Sequence, residues 1–198
     1  MYFILRCPSL KNEKNGAALV HVDTYFELAG GALFKTGARL EPEEVENMPT
    51  PVKIEFQTFQ GYKGPPPELK DLGVTVMSKR LVDVLVQAGV DNLELFPAVL
   101  KNSSTGQEYD YFVYNLLGLV SAVDRNASEQ ETFNGEAPNM DVAIHKLVLD
   151  ESKPHPYLMF RLAENVSTIL VHHTIKEAIE HAGIDTLVFK KPEDYTHL

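Results

Sequence analysis

The sequence is poor in cysteine and in long apolar segments. Its 198 residues include one cysteine, Cys7, so no disulfide can form within the chain. No segment approaches the roughly 20 apolar residues that a membrane-spanning helix needs. The opening residues, MYFILRCPSLKNEK, lack the basic stretch that precedes the apolar part of a secretory signal. We therefore expect a cytoplasmic protein without membrane association, built as one globular domain or one domain with a small appended lobe.

Basic residues are scarce relative to acidic ones. The chain has 18 Lys and Arg residues against 28 Asp and Glu residues, which gives a formal net charge of -10. Because neutralising phosphate groups requires a basic surface, we expect no nucleic-acid partner. An acidic surface favours a basic protein partner, although acidity is also typical of proteins that use charge only for solubility.

The common catalytic and cofactor motifs are missing as well. The sequence contains no P-loop, no G-x-G-x-x-G, no H-E-x-x-H, no G-x-S-x-G and no paired-cysteine metal site. The most suggestive histidines are the adjacent His172 and His173. Neighbouring residues on a strand point to opposite faces and chelate a metal poorly together. The sequence therefore predicts a non-enzymatic protein with no metal and no cofactor.

One acidic residue, Asp124, ends the long β-prone run YDYFVYNLLGLVSAVDRNAS. An acid at a strand end can act as a general acid or base, and a small hydrolase that uses Asp124 with a histidine such as His145 or His172 is one alternative. However, Ser128 follows four residues later. Asp and Ser at this spacing commonly accept hydrogen bonds from backbone N–H groups where a strand leaves its sheet. We therefore favour a structural role for Asp124.

Two further polar residues lie inside apolar segments. Asn115 is flanked by Tyr114 and Leu116 and is predicted to be a semi-buried amide that holds a neighbouring loop or bulge. Arg161 lies within the apolar segment MFRLAE, where a half-buried guanidinium needs a carboxylate partner. Asp124 is one conceivable partner for it.

Short β-prone segments dominate the chain, with few helical ones between them. The acidic segment LEPEEVENMPTP could hold one helical turn between its prolines, and GYKGPPPELKDLG has three consecutive prolines that exclude a helix interior or a central strand. We predict a β-rich N-terminal lobe at 1–60, a proline-rich connector at 61–73 and a main domain at 74–198, with one continuous domain over 1–198 as the alternative. The order of segments predicts an α+β fold, a mostly antiparallel β-sheet with two or three short helices packed on it.

The chain also repeats itself weakly with an offset of 94 residues. Val74–Leu93 and Thr168–Leu187 both show a short apolar strand, one amphipathic helix, and the pattern A-G-[VI]-D-x-L before a further strand. The predicted helix ends are Ser78 as the N-cap of the first helix, Thr174 with Glu177 as a capping box for the second, and Gly89 and Gly183 as the left-handed residues after each helix.

An ordered series of segments resembles the immunity-protein family numbered eleven of bacterial polymorphic-toxin systems, formerly a domain of unknown function. The series runs from FKTGARL through VMSKRLVDVLVQAGVDNLELFPAVL, YFVYNLLGLVSAVDRNAS, LVLD and MFRL to AGIDTLVF. The residues that match its framework are Ser78, Pro97, Asn115, Asp124, Ser128, Phe160, Arg161 and Gly183.

The resemblance implies a bacterial, non-enzymatic protein that binds and neutralises a cognate toxin, and the acidic charge of the chain favours a basic toxin. It brings no catalytic residues and no cofactor. A regulatory or scaffolding interaction module is a further alternative. On the toxin-binding hypothesis, contact falls on two acidic segments, whose candidate residues are Glu41, Glu43, Glu44, Glu46, Glu129, Glu131 and Glu136.

Overall fold

A computed structural model describes residues 1–23, 34–71, 75–131, 143–150, 152–153 and 157–195. This part of the chain forms thirteen strands, three short helices and a final 3-10 turn, Pro192–Asp194. The helices are α1 (Pro42–Glu46), α2 (Lys79–Gln87) and α3 (His173–His181). The strands are β1 (Tyr2–Arg6), β2 (Val20–Val22), β3 (Val52–Thr58), β4 (Leu69–Lys70), β5 (Val76–Ser78), β6 (Leu93–Asn102), β7 (Glu108–Leu116), β8 (Leu119–Val120), β9 (Glu129–Gln130), β10 (Ile144–Lys146), β11 (Met159–Leu162), β12 (Asn165–His172) and β13 (Val188–Lys190).

The larger sheet has the strand order β2-β3-β6-β7-β5-β4. Its centre is the antiparallel hairpin of β6 and β7, while β3 lies parallel to β6 on the outer side. Buried and exposed side chains alternate along β3, as expected for a strand with one face against a core. That core contains Val52, Ile54 and Phe56 from β3 together with Leu100 and Val113 from the hairpin.

The smaller sheet has the order β13-β1-β12-β11-β8, and a separate ribbon pairs β9 with β10. The first strand of the chain, β1, lies between β12 and β13 and is antiparallel to both. Strand β11 pairs antiparallel with β12 and parallel with β8. Strands near the two ends of the sequence therefore form the centre of this sheet.

The weak sequence repeat corresponds to two similar structural units. Strands β5 and β6 are parallel, are joined through α2, and have β7 between them. Strands β12 and β13 are likewise parallel, are joined through α3, and have β1 between them. Both helices have nine residues and pack in one core. The predicted α+β class, with a largely antiparallel sheet and short helices, is confirmed.

The ends of α2 and α3 confirm one predicted cap and correct the other. The Ser78 hydroxyl accepts a hydrogen bond from the Leu81 N–H at 3.0 Å, as predicted for an N-cap. The predicted capping box of Thr174 is wrong, because β12 continues to His172 and α3 begins at His173, so that Thr174 already lies in the first turn. Its hydroxyl instead lies 3.0 Å from Nδ1 of His172.

Glycines end both helices in the predicted way. Gly89 and Gly183 follow α2 and α3 with φ of 94° and 68°, the left-handed region that residues with a Cβ adopt only at a cost. None of the helices in the described part of the chain is long and apolar enough to cross a membrane.

Candidate functional site

The Arg161 guanidinium on β11 is a fully buried charged group, with 0% exposure. It donates to both carboxylate oxygens of Asp71, at 2.5 and 2.9 Å, and to the backbone carbonyl of Val166 at 2.9 Å. The hypothesis that Arg161 pairs with Asp124 is therefore wrong. Asp71 lies directly after β4 in the segment predicted to be a connector, which is why the sequence did not suggest it as the partner.

Two more side chains complete this cluster around Asp71. The Tyr114 hydroxyl donates to its carboxylate at 2.5 Å, and the Lys35 ammonium lies 3.4 Å from the other carboxylate oxygen. Burial, reinforced by the negative charge of Asp71, raises the pKa of Tyr114 well above its usual value, so the phenol remains a donor at neutral pH. The arrangement joins β7 and β4 of the larger sheet to β11 of the smaller one, which is a structural task.

Asp124 forms a turn and has no hydrogen bond to a histidine in the described residues. Its carboxylate accepts hydrogen bonds from the backbone N–H groups of Asn126 and Ala127, at 2.9 and 3.2 Å. The two histidines of the hydrolase alternative have other neighbours: His145 lies 3.5 Å from Glu131, and His172 contacts Thr174. The structural role favoured for Asp124 agrees with this geometry.

Ser128 and Asn115 also hold backbone segments in place. The Ser128 hydroxyl contacts both the carbonyl and the N–H of Val148, at 3.1 and 2.9 Å. The fully buried Asn115 amide donates to the carbonyl of Ala38 at 2.7 Å and to a carboxylate oxygen of Glu94 at 2.8 Å. Asn115 thus holds the loop that enters α1, the kind of role predicted for it.

A second buried amide, Asn92, joins the two sheets. Its side chain donates to the carbonyl of Leu117, after β7, at 2.8 Å and to the carbonyl of Met159, on β11, at 2.9 Å. Asn92 lies inside the repeated A-G-[VI]-D-x-L pattern, but only one copy has an asparagine there; Thr186 occupies that place in the other. This asymmetry within the repeat is the signal that could have identified it.

The remaining framework residues also lie in regular structure. Phe160 is fully buried on β11 and meets the Tyr2 ring edge-on with the ring centres 5.3 Å apart. Pro97 is exposed on β6, opposite Phe112 of β7.

Several cavities open around Cys7, where β1 ends. One of about 390 Å³ is lined by Ile4, Arg6, Val188, Lys190 and Tyr195 together with the 7–9 segment. Burial, with a contribution from the negative charge of Glu68, raises the pKa of Cys7 to about 11. The thiol is therefore protonated at neutral pH and a poor nucleophile. The described residues hold no cluster of metal-ligating side chains.

The first acidic segment predicted to bind a partner forms α1 and the residue before it. Glu41, Glu43 and Glu46 are exposed, whereas the Glu44 carboxylate accepts a hydrogen bond from the Glu41 N–H at 2.8 Å and so caps the helix. Val45, between them, is 42% exposed. α1 therefore presents an apolar side chain with carboxylates on either side of it in sequence.

The second acidic segment is only partly described. Glu129 is exposed on β9, and the exposed Glu131 lies 3.5 Å from the His145 ring. Glu136 lies outside the described residues. Glu129 lies on β9 and Glu131 directly follows it, beside the ribbon that β9 forms with β10.

Comparison with known proteins gives one family and no curated relative. No curated protein matches the sequence. The family model described as an immunity protein family, Imm11, matches residues 2–194, almost the whole chain. That span covers β1 to β13 and each of the framework residues. The chain belongs to the Imm11 immunity protein family.

Proposed function

We propose that this protein is a stoichiometric immunity protein that binds and neutralises a cognate polymorphic toxin without catalysis. The observation that carries the proposal is the family match over residues 2–194. The structure supports it indirectly, because the charged residues that could suggest catalysis form ion pairs and hydrogen bonds that hold the fold together. Arg161 and Asp71 form a buried ion pair, and Asp124 accepts hydrogen bonds within its own turn.

The acidic patch on α1 is the surface we propose for toxin contact. We define it as Glu41, Glu43, Val45 and Glu46. An exposed apolar side chain among carboxylates can bury area on binding while the charges steer a basic partner toward it. The formal net charge of -10 strengthens that steering at low ionic strength. Glu129 and Glu131 provide a second, smaller acidic surface in the proposal.

The test is co-expression with the product of the adjacent gene in a bacterial host. We expect protection from toxicity and co-purification of the two proteins. The triple variant Glu41→Lys, Glu43→Lys and Glu46→Lys should weaken binding by about tenfold or more and flatten its dependence on salt, since attraction is replaced by repulsion.

A matched control reverses three exposed acids elsewhere, Glu13, Asp110 and Glu177, to lysine. It changes the net charge equally and should keep most of the affinity. Equal affinities and salt slopes for the two triple variants would show that the α1 patch is not the contact surface. Absence of both protection and co-purification with the wild-type chain would instead contradict the toxin-binding function and favour a regulatory or scaffolding module.

A further inference from the structure

The two strand-helix-strand units differ at one equivalent edge. In the first unit the strand after the helix, β6, is flanked by β7 on one side and by β3, in parallel, on the other. In the second unit the corresponding strand, β13, is flanked by β1, and no other described strand pairs with it. An edge strand presents N–H and C=O groups that can pair with an added strand. Within the described residues, no strand of the second unit therefore occupies the position that β3 fills in the first.

A cavity lined by apolar and cationic side chains lies over one face of the β1–β13 pair, next to this edge. Ile4 faces Lys190 across the β1–β13 pair, and Arg6 faces Val188. Because side chains alternate along a strand, these four lie on one face of the sheet, and they line the cavity of about 390 Å³ with Tyr195. Val188 is 41% exposed. The walls are therefore largely apolar, with two cationic side chains among them.

Neither cation has an anionic partner among the described side chains. Arg6 stacks on the Tyr195 ring, with its guanidinium carbon 5.6 Å from the ring centre. The nearby carboxylate of Glu193 is paired with Lys191, at 3.8 Å. Although the chain as a whole is acidic, ions screen exposed charges beyond about 8 Å at physiological salt. A ligand in the cavity therefore meets two cationic side chains, Arg6 and Lys190, while the Glu68 carboxylate that acts on the Cys7 thiol is paired with Arg80 at 3.4 Å.

We propose that the open edge of β13 binds an extended segment of the toxin, paired as an added strand, with a carboxylate side chain directed to Arg6 and Lys190. Alternate side chains of such a strand point to the same face, so an apolar residue two positions from the acid would meet Val188 and Tyr195. The strand runs parallel to β13, as β3 runs parallel to β6. This inference rests on the proposed toxin-binding function and adds a second, oppositely charged contact to the α1 patch.

The direct test places a photo-crosslinking amino acid at position 188 of the full-length chain in complex with the toxin. We expect a crosslink to one toxin segment, identified by mass spectrometry, that carries an acidic and an apolar residue at alternate positions. The matched control places the same probe at Val86 on α2, where no crosslink is expected. Val86 is also an exposed valine, and its exposed fraction of 53% is larger than that of Val188.

Charge reversal provides an independent measurement. Lys190→Glu, alone and with Arg6→Glu, should weaken toxin binding by about tenfold or more. The control pair Lys14→Glu and Lys53→Glu, both exposed lysines elsewhere, should not. Because Arg6 stacks on Tyr195, thermal melting must show that each variant is folded, and Lys190→Glu alone carries the test if the double variant is not. Full affinity of Lys190→Glu, or crosslinking at 86 and not at 188, overturns the β13 site while the immunity function stands; loss of wild-type binding overturns both.

Discussion

Arg161 has the largest fully buried side chain among the described residues, and its charge is neutralised across the two sheets. A buried charge without a partner is costly, and removing one member of such a pair leaves the other uncompensated. Asp71 provides two hydrogen bonds to the guanidinium and also accepts one from Tyr114. The pair therefore links β11 of the smaller sheet to the residue that follows β4 of the larger one.

Replacing Asp71 by alanine should lower the free energy of unfolding by about 3–5 kcal/mol, because Arg161 would remain buried and unpaired. The double variant Asp71→Ala with Arg161→Met should lose less than the sum of the two single variants, since it removes both charges. Urea denaturation measures each value. Asp83→Ala, which removes an exposed pair with Lys79, is the control and should change stability by less than about 1 kcal/mol. A cost below that value for Asp71→Ala would contradict the coupling.

At the residue scale, the sequence shows that a buried charge requires a partner of opposite charge, but it does not identify that partner when the two are far apart in the chain. An arginine inside an apolar strand requires an acid, and that requirement for Arg161 was readable from MFRLAE. Its partner was not, because Asp71 is 90 residues away in the chain and follows three prolines. Local pairings were more accessible, as with Ser78 and Leu81, which lie three residues apart.

At the element scale, α2 and α3 have the same length but different starts. Both follow directly from a strand, and both end in a left-handed glycine. Ser78 caps α2 with its hydroxyl, whereas the His172 side chain makes no capping hydrogen bond to the backbone of α3 and contacts the Thr174 hydroxyl instead. The sequence therefore predicts both helices and the glycine after each, but it misplaces the start of α3 because T-x-x-E resembles a capping box.

Ser78→Ala should destabilise the protein by about 1 kcal/mol, as expected for loss of an N-cap. Thr174→Ala should change stability by less than about 0.5 kcal/mol, because Thr174 lies on an exposed first turn. Thermal or urea unfolding of the two variants provides the comparison. Ser78 also donates to the Glu68 carboxylate, so Glu68→Gln separates that contact from the cap. Equal losses of stability for Ser78→Ala and Thr174→Ala would mean that Thr174 caps α3, and would contradict a helix that begins at His173.

Strand β4 follows the three prolines and is not predicted from the sequence. Three consecutive prolines predict an extended chain, and the structure keeps that chain against the sheet: the Tyr111 hydroxyl donates to the carbonyl of Pro66 at 2.9 Å. The next residues form β4, paired with β5, and then reach Asp71. Proline carbonyls remain good acceptors even though proline has no N–H, so a segment poor in donors can still be fixed by its neighbours.

At the scale of the whole molecule, strand pairing connects the two ends of the sequence. β1 lies between β12 and β13, and β3 pairs with β6, so strands before the proline-rich segment contribute to both large sheets. Sequence periodicity predicts that a segment is a strand, but not which distant strand it pairs with, because pairing depends on contacts across the whole chain. We propose that the chain folds as one cooperative unit.

Expression of 74–198 alone tests that proposal. The fragment lacks β1, so the parallel strands β12 and β13 would lose the strand between them, and Arg161 would lose Asp71. We expect the fragment to lack a cooperative thermal transition by circular dichroism, whereas the full-length chain shows one transition that coincides in the far and near ultraviolet. Adding a co-expressed 1–73 fragment should restore the transition, because it supplies both the missing strand and the missing carboxylate. A fragment that melts cooperatively on its own within a few degrees of the full-length chain would establish 74–198 as an independent domain.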